Sequence, residues 1–151
     1  MPISSFILIF LSFFQPDLEQ QEYMLNRVNS IRARGCICGD TVMPPAEPVK
    51  WNTTLYTSAK RHARFLRSKR RLTHFGRNGE DIGTRITKTG YKWKVVGENL
   101  GEGQKSFREV FWDWIESPSH CKMLMNPKVN DMAVARIGKY WVQHFGKEAK
   151  R

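Results

Sequence analysis

The sequence predicts an α+β fold, with helices packed on an antiparallel sheet. Three observations carry this. Capped, striped helical segments recur along the chain up to residue 115 and outnumber the strands. Two alternating runs come late, around Gly138-Lys139, and read as a hairpin. The composition is 40% hydrophobic with nine Phe, five Trp and four Tyr, which suits a packed core rather than disorder. At 151 residues the chain fits one domain and can fold without a metal or disulfide.

Residues 6–14, FILIFLSFF, are an apolar run. A helix spanning a bilayer needs about 20 residues, so this run is too short. It reads as the core of a secretory signal. No Lys or Arg precedes it and no A-x-A-like cleavage site follows, so an N-terminal arm is the other reading. The chain therefore divides into 1–16, a signal remnant or arm, and 17–151, one domain.

Asp17 and Gln20 form a capping box, which opens a helix over about 18–34 that Gly35 stops. Leu18, Leu25, Val28 and Ile31 lie roughly on one face. CICGD and the prolines of MPPAEP predict irregular structure over 36–50. Asn52 caps a second helix, about 53–70, with Leu55, Ala59, Ala63 and Leu66 inward. His62 is on that apolar side, where a histidine is more often a hydrogen-bonded core residue than a ligand. Lys60, Arg64, Arg67 and Arg71 make a neighbouring basic stripe. It is either a solvated face or a contact for an anionic polymer or membrane.

A loop over 72–80 carries His74, and a short helix over 81–89 follows, with Ile82 and Ile86 on one face. Lys94–Leu100 reads as a strand delivering Glu98. Ser106 and Glu109 box the start of a further helix that Pro118 ends. Met132–Ile137 and Tyr140–Phe145 are the hairpin strands.

Chemistry-bearing residues cluster in THFGRNG (73–79), GYKWKVVGENLGEG (90–103) and WIESPSHC (114–121). His74 and His120 are two imidazoles able to hold Zn²⁺ or a similar ion, and Glu98 could serve as third ligand or base. The alternative is a hydrogen-bonded cluster that holds loops together. Ser117 with His120 suggests a nucleophile and base, but no G-x-S-x-G elbow surrounds the serine, which argues against a serine hydrolase. No P-loop, dinucleotide fingerprint or H-E-x-x-H is present. The net charge of +11 attracts anionic partners. No nucleic-acid fold signature accompanies it, so specific nucleic-acid binding is not expected.

Three cysteines remain. Cys36 and Cys38 are too close in sequence to bond each other without strain. Either one bridging to Cys121 would close a long loop and stabilise by roughly 3–5 kcal/mol in an oxidising compartment. A zinc site from all three is the rival reading.

The pieces LNRVNSIRARGCICG, PVKWNTTLYTSAKRHA, LTHFGRNG, Arg85…GYKW…GENLGEG, WIESPSHCKMLMNP and YWVQHFG, in that order, closely resemble the CAP superfamily, also called SCP-like. They span about Leu25 to Gly146, and the match is to the short bacterial branch without a cysteine-rich tail. The resemblance implies an α-β-α sandwich with a central antiparallel sheet and a secreted or envelope-facing location. It implies a cleft in which His74 and His120 are the histidines and Glu98 the first acidic residue. The second acidic position falls on Ser117, which removes a carboxylate; Glu116 beside it would point elsewhere. It implies a weakly held divalent ion, often Zn²⁺, on His74 and His120. It makes Cys38–Cys121 the preferred bridge, with Cys36 the alternative partner, and His144 a strand residue rather than a ligand. The family has no agreed enzymatic activity. The implied function is a binding module, monomeric, for lipid, sterol or anionic envelope polymer. A metal-dependent hydrolase working through His74, His120 and Glu98 is the alternative.

Overall fold

The computed structural model describes residues 16–150. The expectation of a signal or arm falls on residues 1–16 and so lies, Pro16 apart, outside the described residues. Helix α1 (Leu18–Arg34) starts where the Asp17 carboxylate accepts the Gln20 amide at 2.8 Å. It ends at Gly35, whose φ of +73° suits glycine; a Cβ there would also meet the Met43 carbonyl.

The segment after Gly35 departs from the expected irregular loop. β1 (Cys36–Cys38) and β2 (Thr41–Met43) form a small antiparallel hairpin. Three-residue strands are too short to show alternation in sequence, and the prolines begin only after the hairpin, at Pro44. β3 (Lys50–Trp51) then leads into α2 (Thr53–Lys69), where the Asn52 side chain accepts the Thr54 and Leu55 amides at 3.0 Å. A 3₁₀ turn (Arg77–Gly79), α3 (Ile82–Thr87) and β4 (Trp93–Glu102) follow.

α4 (Phe107–Glu116) is capped by Ser106 as expected, but Pro118 does more than end it. Pro118 is the first residue of a further helix, α5 (Pro118–Leu124). The missing N–H of proline is harmless at that position, so one residue both stops a helix and starts the next. His120 and Cys121 are consequently helical, not loop, residues. The chain closes with β5 (Asp131–Ile137) and β6 (Tyr140–Glu148).

The main sheet has the order β3-β5-β6-β4. β5, β6 and β4 form the expected antiparallel sheet, and the two-residue β3 adds a short parallel strand beside β5. Period-2 alternation divides the core between two faces. Met132, Val134, Trp141 and Phe145 pack with α1, α4 and α5. Ala133, Ala135, Tyr140 and Val142 pack with α2 and α3. The result is the expected α-β-α sandwich.

Two contacts lock the layer of α1, α4 and α5. Buried Arg32 of α1 donates to the carbonyls of Glu47, Leu124, Asn126 and Val129 at 2.8–3.3 Å. Gly97 of β4 lets the Met123 side chain of α5 lie directly on the strand. Gly97→Ala is expected to push α5 away and cost about 1–3 kcal/mol. Guanidinium denaturation checks this; an unchanged midpoint would show that Met123 swings aside freely.

Candidate functional site

β4 is an edge strand, and the site straddles it. Glu98 is paired across the ladder with His144 of β6, and both point to the face of α2 and α3. The Glu98 side chain is only 3% exposed, yet three cationic or imidazole groups reach it. His74 Nδ1 lies 2.8 Å from Oε1, Arg85 Nη2 donates to Oε2 at 2.6 Å, and His144 Nε2 lies 2.8 Å from Oε2. Arg85 also donates through Nη1 to the carbonyls of His74 and Glu80, at 2.6 and 3.0 Å. It thereby holds the loop that carries His74.

From the opposite layer come Ser117 and His120. Ser117 caps α5, and its Oγ is 2.7 Å from His120 Nδ1. Asn99, the residue after Glu98, faces this side. Its amide donates to the His120 carbonyl at 3.2 Å and to Gln143 at 3.1 Å. The Cys38–Cys121 disulfide, with Cα atoms 5.4 Å apart, ties α5 to the β1–β2 hairpin. Edge-strand residues thus fix one histidine from each layer.

The electrostatics follow from these contacts. Burial alone would raise the Glu98 pKa, but hydrogen bonds from His144 and His74 and the Arg85 charge outweigh it and hold the carboxyl well below its usual range. The hydrogen bond to Glu98 raises His74. Burial, then the nearby charge of His74, lowers His120. Burial lowers His62, which sits 3.9 Å from Glu98, to about 4.

A histidine depressed from 6.5 to about 4 stays neutral in the fold while the unfolded chain takes a proton. Its contribution to stability is therefore lost as pH falls from 6.5 toward 4. Raised His74 acts in the opposite sense, being most favourable below 6.5. The larger His62 shift is expected to win. Thermal melts across that window should fall with acidity, and a rising melting temperature would contradict it.

The chemistry open to this arrangement is limited. Both Glu98 oxygens are engaged, and so stable an anion is a weak base. The Ser117–His120 pair is a contact within one helical turn. Among the described residues no carboxylate orients the other ring nitrogen of His120, as a catalytic triad would require. A divalent ion fits better. Each ring has Nδ1 occupied, so Nε2 of His74 and of His120 would be the atoms to hold an ion. His74 bonded through Nδ1 to Glu98 is the usual orienting arrangement for a metal-ligating imidazole. Two nitrogens with water in the remaining positions make a weak site.

Sequence reasoning singled out His74, Glu98, Ser117 and His120, and the structure pairs them as His74–Glu98 and Ser117–His120. It gave Arg85 no role, although Arg85 lies three residues after Ile82 and one before Ile86, on the buried side of α3. His144 is a strand residue as expected, but its ring serves Glu98; the even-numbered inward residues Tyr140 and Val142 were the available signal. Among the described residues, the one set of three ligand atoms within 4.8 Å is Cys36, Cys38 and Cys121. The disulfide uses two of those sulfurs, which sets aside the cysteine–zinc reading.

The fold is a three-layer sandwich in which β4 contacts His74 of one outer layer through Glu98 and His120 of the other through Asn99. The chain belongs to the family described as "CAP: Cysteine-rich secretory protein family", whose profile matches residues 25–145. It is 28% identical over 101 residues to the uncharacterized protein YkwD of Bacillus subtilis, a match covering 66% of this chain and 39% of that protein. The chain thus spans well under half of that relative. Its fold resembles an extracellular SCP-domain protein of Bacillus anthracis, with TM-score 0.74, 18% identity, and coverage of 86% of this chain and 41% of the other. It also resembles an outer surface protein of Borrelia burgdorferi, with TM-score 0.74, 22% identity, and coverage of 89% and 97%. Among the described residues no helix is long and apolar enough to cross a membrane.

Proposed function

We propose that this chain is an extracellular binding module. Its sheet-edge cleft holds a divalent ion such as Zn²⁺ weakly between His74 and His120, and its basic α2 face meets an anionic envelope polymer. The observation that carries the metal reading is the pinning of both Nδ1 atoms, by Glu98 and Ser117, which leaves both Nε2 atoms without a hydrogen-bond partner among the described residues. Location outside the cell is supported by the extracellular and surface proteins that share the fold.

The polymer reading rests on charge. Residues 53–79 carry eight Lys and Arg and no Asp or Glu. Arg64, Arg67 and Arg70 of that stretch line a groove of about 870 Å³ beside the β5–β6 turn. Binding to dextran sulfate should be strong at low salt and vanish near 1 M, where the screening length is about 3 Å. Binding unchanged by salt would remove the electrostatic basis. A lipid or sterol ligand is the second partner class; apolar contact would show as salt-independent vesicle binding. The hydrolase alternative has the weaker support, because Glu98 is tied at both oxygens.

Calorimetric titration of chelator-treated protein with Zn²⁺ tests the metal site. Weak binding is expected, lost in the His74→Ala/His120→Ala double variant. Affinity should rise with pH, because a proton on His74, favoured by Glu98, competes with the ion. Binding that survives in the double variant would sink the assignment.

A further inference from the structure

Beside Arg85 and His62 lies a second cavity, of about 230 Å³, between α2, α3 and the turn at residues 76–80. Three of its wall residues are almost wholly buried: Ser58 and His62 are 1% exposed and Arg85 is 8%. Each leaves a buried polar atom without a partner among the described residues: Ser58 Oγ, His62 Nδ1 and Arg85 Nε. Buried polar groups are ordinarily paired, and an unmet one costs roughly 1–3 kcal/mol. Three on one cavity wall therefore mark a place built to be filled. One water takes up about 30 Å³ of liquid volume, so the space exceeds a single water, yet it is below the usual size of a large-ligand pocket.

The unmet atoms specify the occupant. His62 Nε2 is 2.9 Å from the Thr73 carbonyl, which can only accept, so Nε2 carries the proton and Nδ1 is a bare acceptor. The low His62 pKa, about 4, keeps the ring in that neutral form at pH 7. Arg85 Nε carries one N–H and can only donate, and the Nη atoms of the same guanidinium already serve His74, Glu80 and Glu98. Ser58 can do either. A hydroxyl group satisfies this wall, donating to His62 and accepting from Arg85. A fully ionised oxyanion cannot donate, and an ammonium cannot accept. Phe65 stacks on His62, with centroids 6.0 Å apart, and gives an apolar side. Around the cavity, Lys88 is held by Glu80, whereas exposed Arg61 and Arg77 have no ion pair among the described residues.

We propose that this cavity binds a small hydroxylated anion, a polyol phosphate, with a hydroxyl against Ser58, His62 and Arg85 and the phosphate at Arg61 and Arg77. None of its residues is a proposed metal ligand, and the variants below leave Arg85, which the two sites share, unchanged.

The test is NMR titration of the ¹⁵N-labelled chain with glycerol 3-phosphate, following the His62 ring Nδ1 and the amides of Ser58 and Arg85. Saturable shifts at all three are expected. Inorganic phosphate and glycerol should each bind about tenfold more weakly or worse, a difference of about 1.4 kcal/mol. Ser58→Ala and Arg61→Ala/Arg77→Ala, which change one small and two exposed side chains, should weaken binding while circular dichroism stays unchanged. A glycerol phosphodiester that binds at least as tightly would assign the ligand to a polymer unit; weaker binding would assign a free phosphomonoester. No saturable shift at His62, equal binding of phosphate alone, or indifference to both variants would overturn the proposal.

Discussion

Glu98→Ala is expected to destabilise the fold by about 3–5 kcal/mol, because it leaves the buried Arg85 cation without its counter-charge. The loss extends beyond one ion pair. His144, fully buried on β6, loses the carboxylate its ring bonds, and His74 loses the contact that orients its ring. Glu98→Gln should cost less, since the amide keeps the shape and one acceptor oxygen. Guanidinium denaturation of both variants measures this. A cost below about 1 kcal/mol for alanine would mean that water replaces the carboxylate without penalty. The same contact sets an acid limit. A carboxyl depressed in the fold contributes fully above its unfolded value of about 4.5, and that contribution is lost as pH falls below it toward the folded value.

Cys121→Ser is expected to cost about 3–5 kcal/mol, by opening the loop across the 83-residue separation from Cys38. Cys38→Ser should cost much less. The free Cys36 thiol lies 3.6 Å from Cys121 Sγ, and a bridge between them would close a loop of nearly the same length, separation 85. The two variants therefore separate the value of the cross-link from that of either partner. Peptide mapping of Cys38→Ser should find Cys36 joined to Cys121. Equal destabilisation of both variants, with no such bridge, would show that the β1–β2 hairpin cannot shift to present Cys36.

Much of the scaffold was legible because caps and stripes are local. Asp17, Asn52 and Ser106 each bond the backbone at the helix starts they mark. Glu98, His74 and His120 stood out because their surrounding motifs resemble one family. What escaped was non-local. A two-residue strand such as β3 has no period to detect; its place depends on Met132, 81 residues away in sequence. Pro118 reads as a stop from one side and a start from the other. The roles of Arg85 and His144 arise only when β4 and β6 come into register and α3 packs beside them.

In the proposed metal site, one histidine from each outer layer would reach the same ion at the sheet edge. Anomalous diffraction at the zinc edge from zinc-soaked crystals tests it most directly. The account predicts a peak bonded to Nε2 of both His74 and His120, with Glu98 still on His74 Nδ1. No peak there, or one at the cysteine cluster instead, would contradict it.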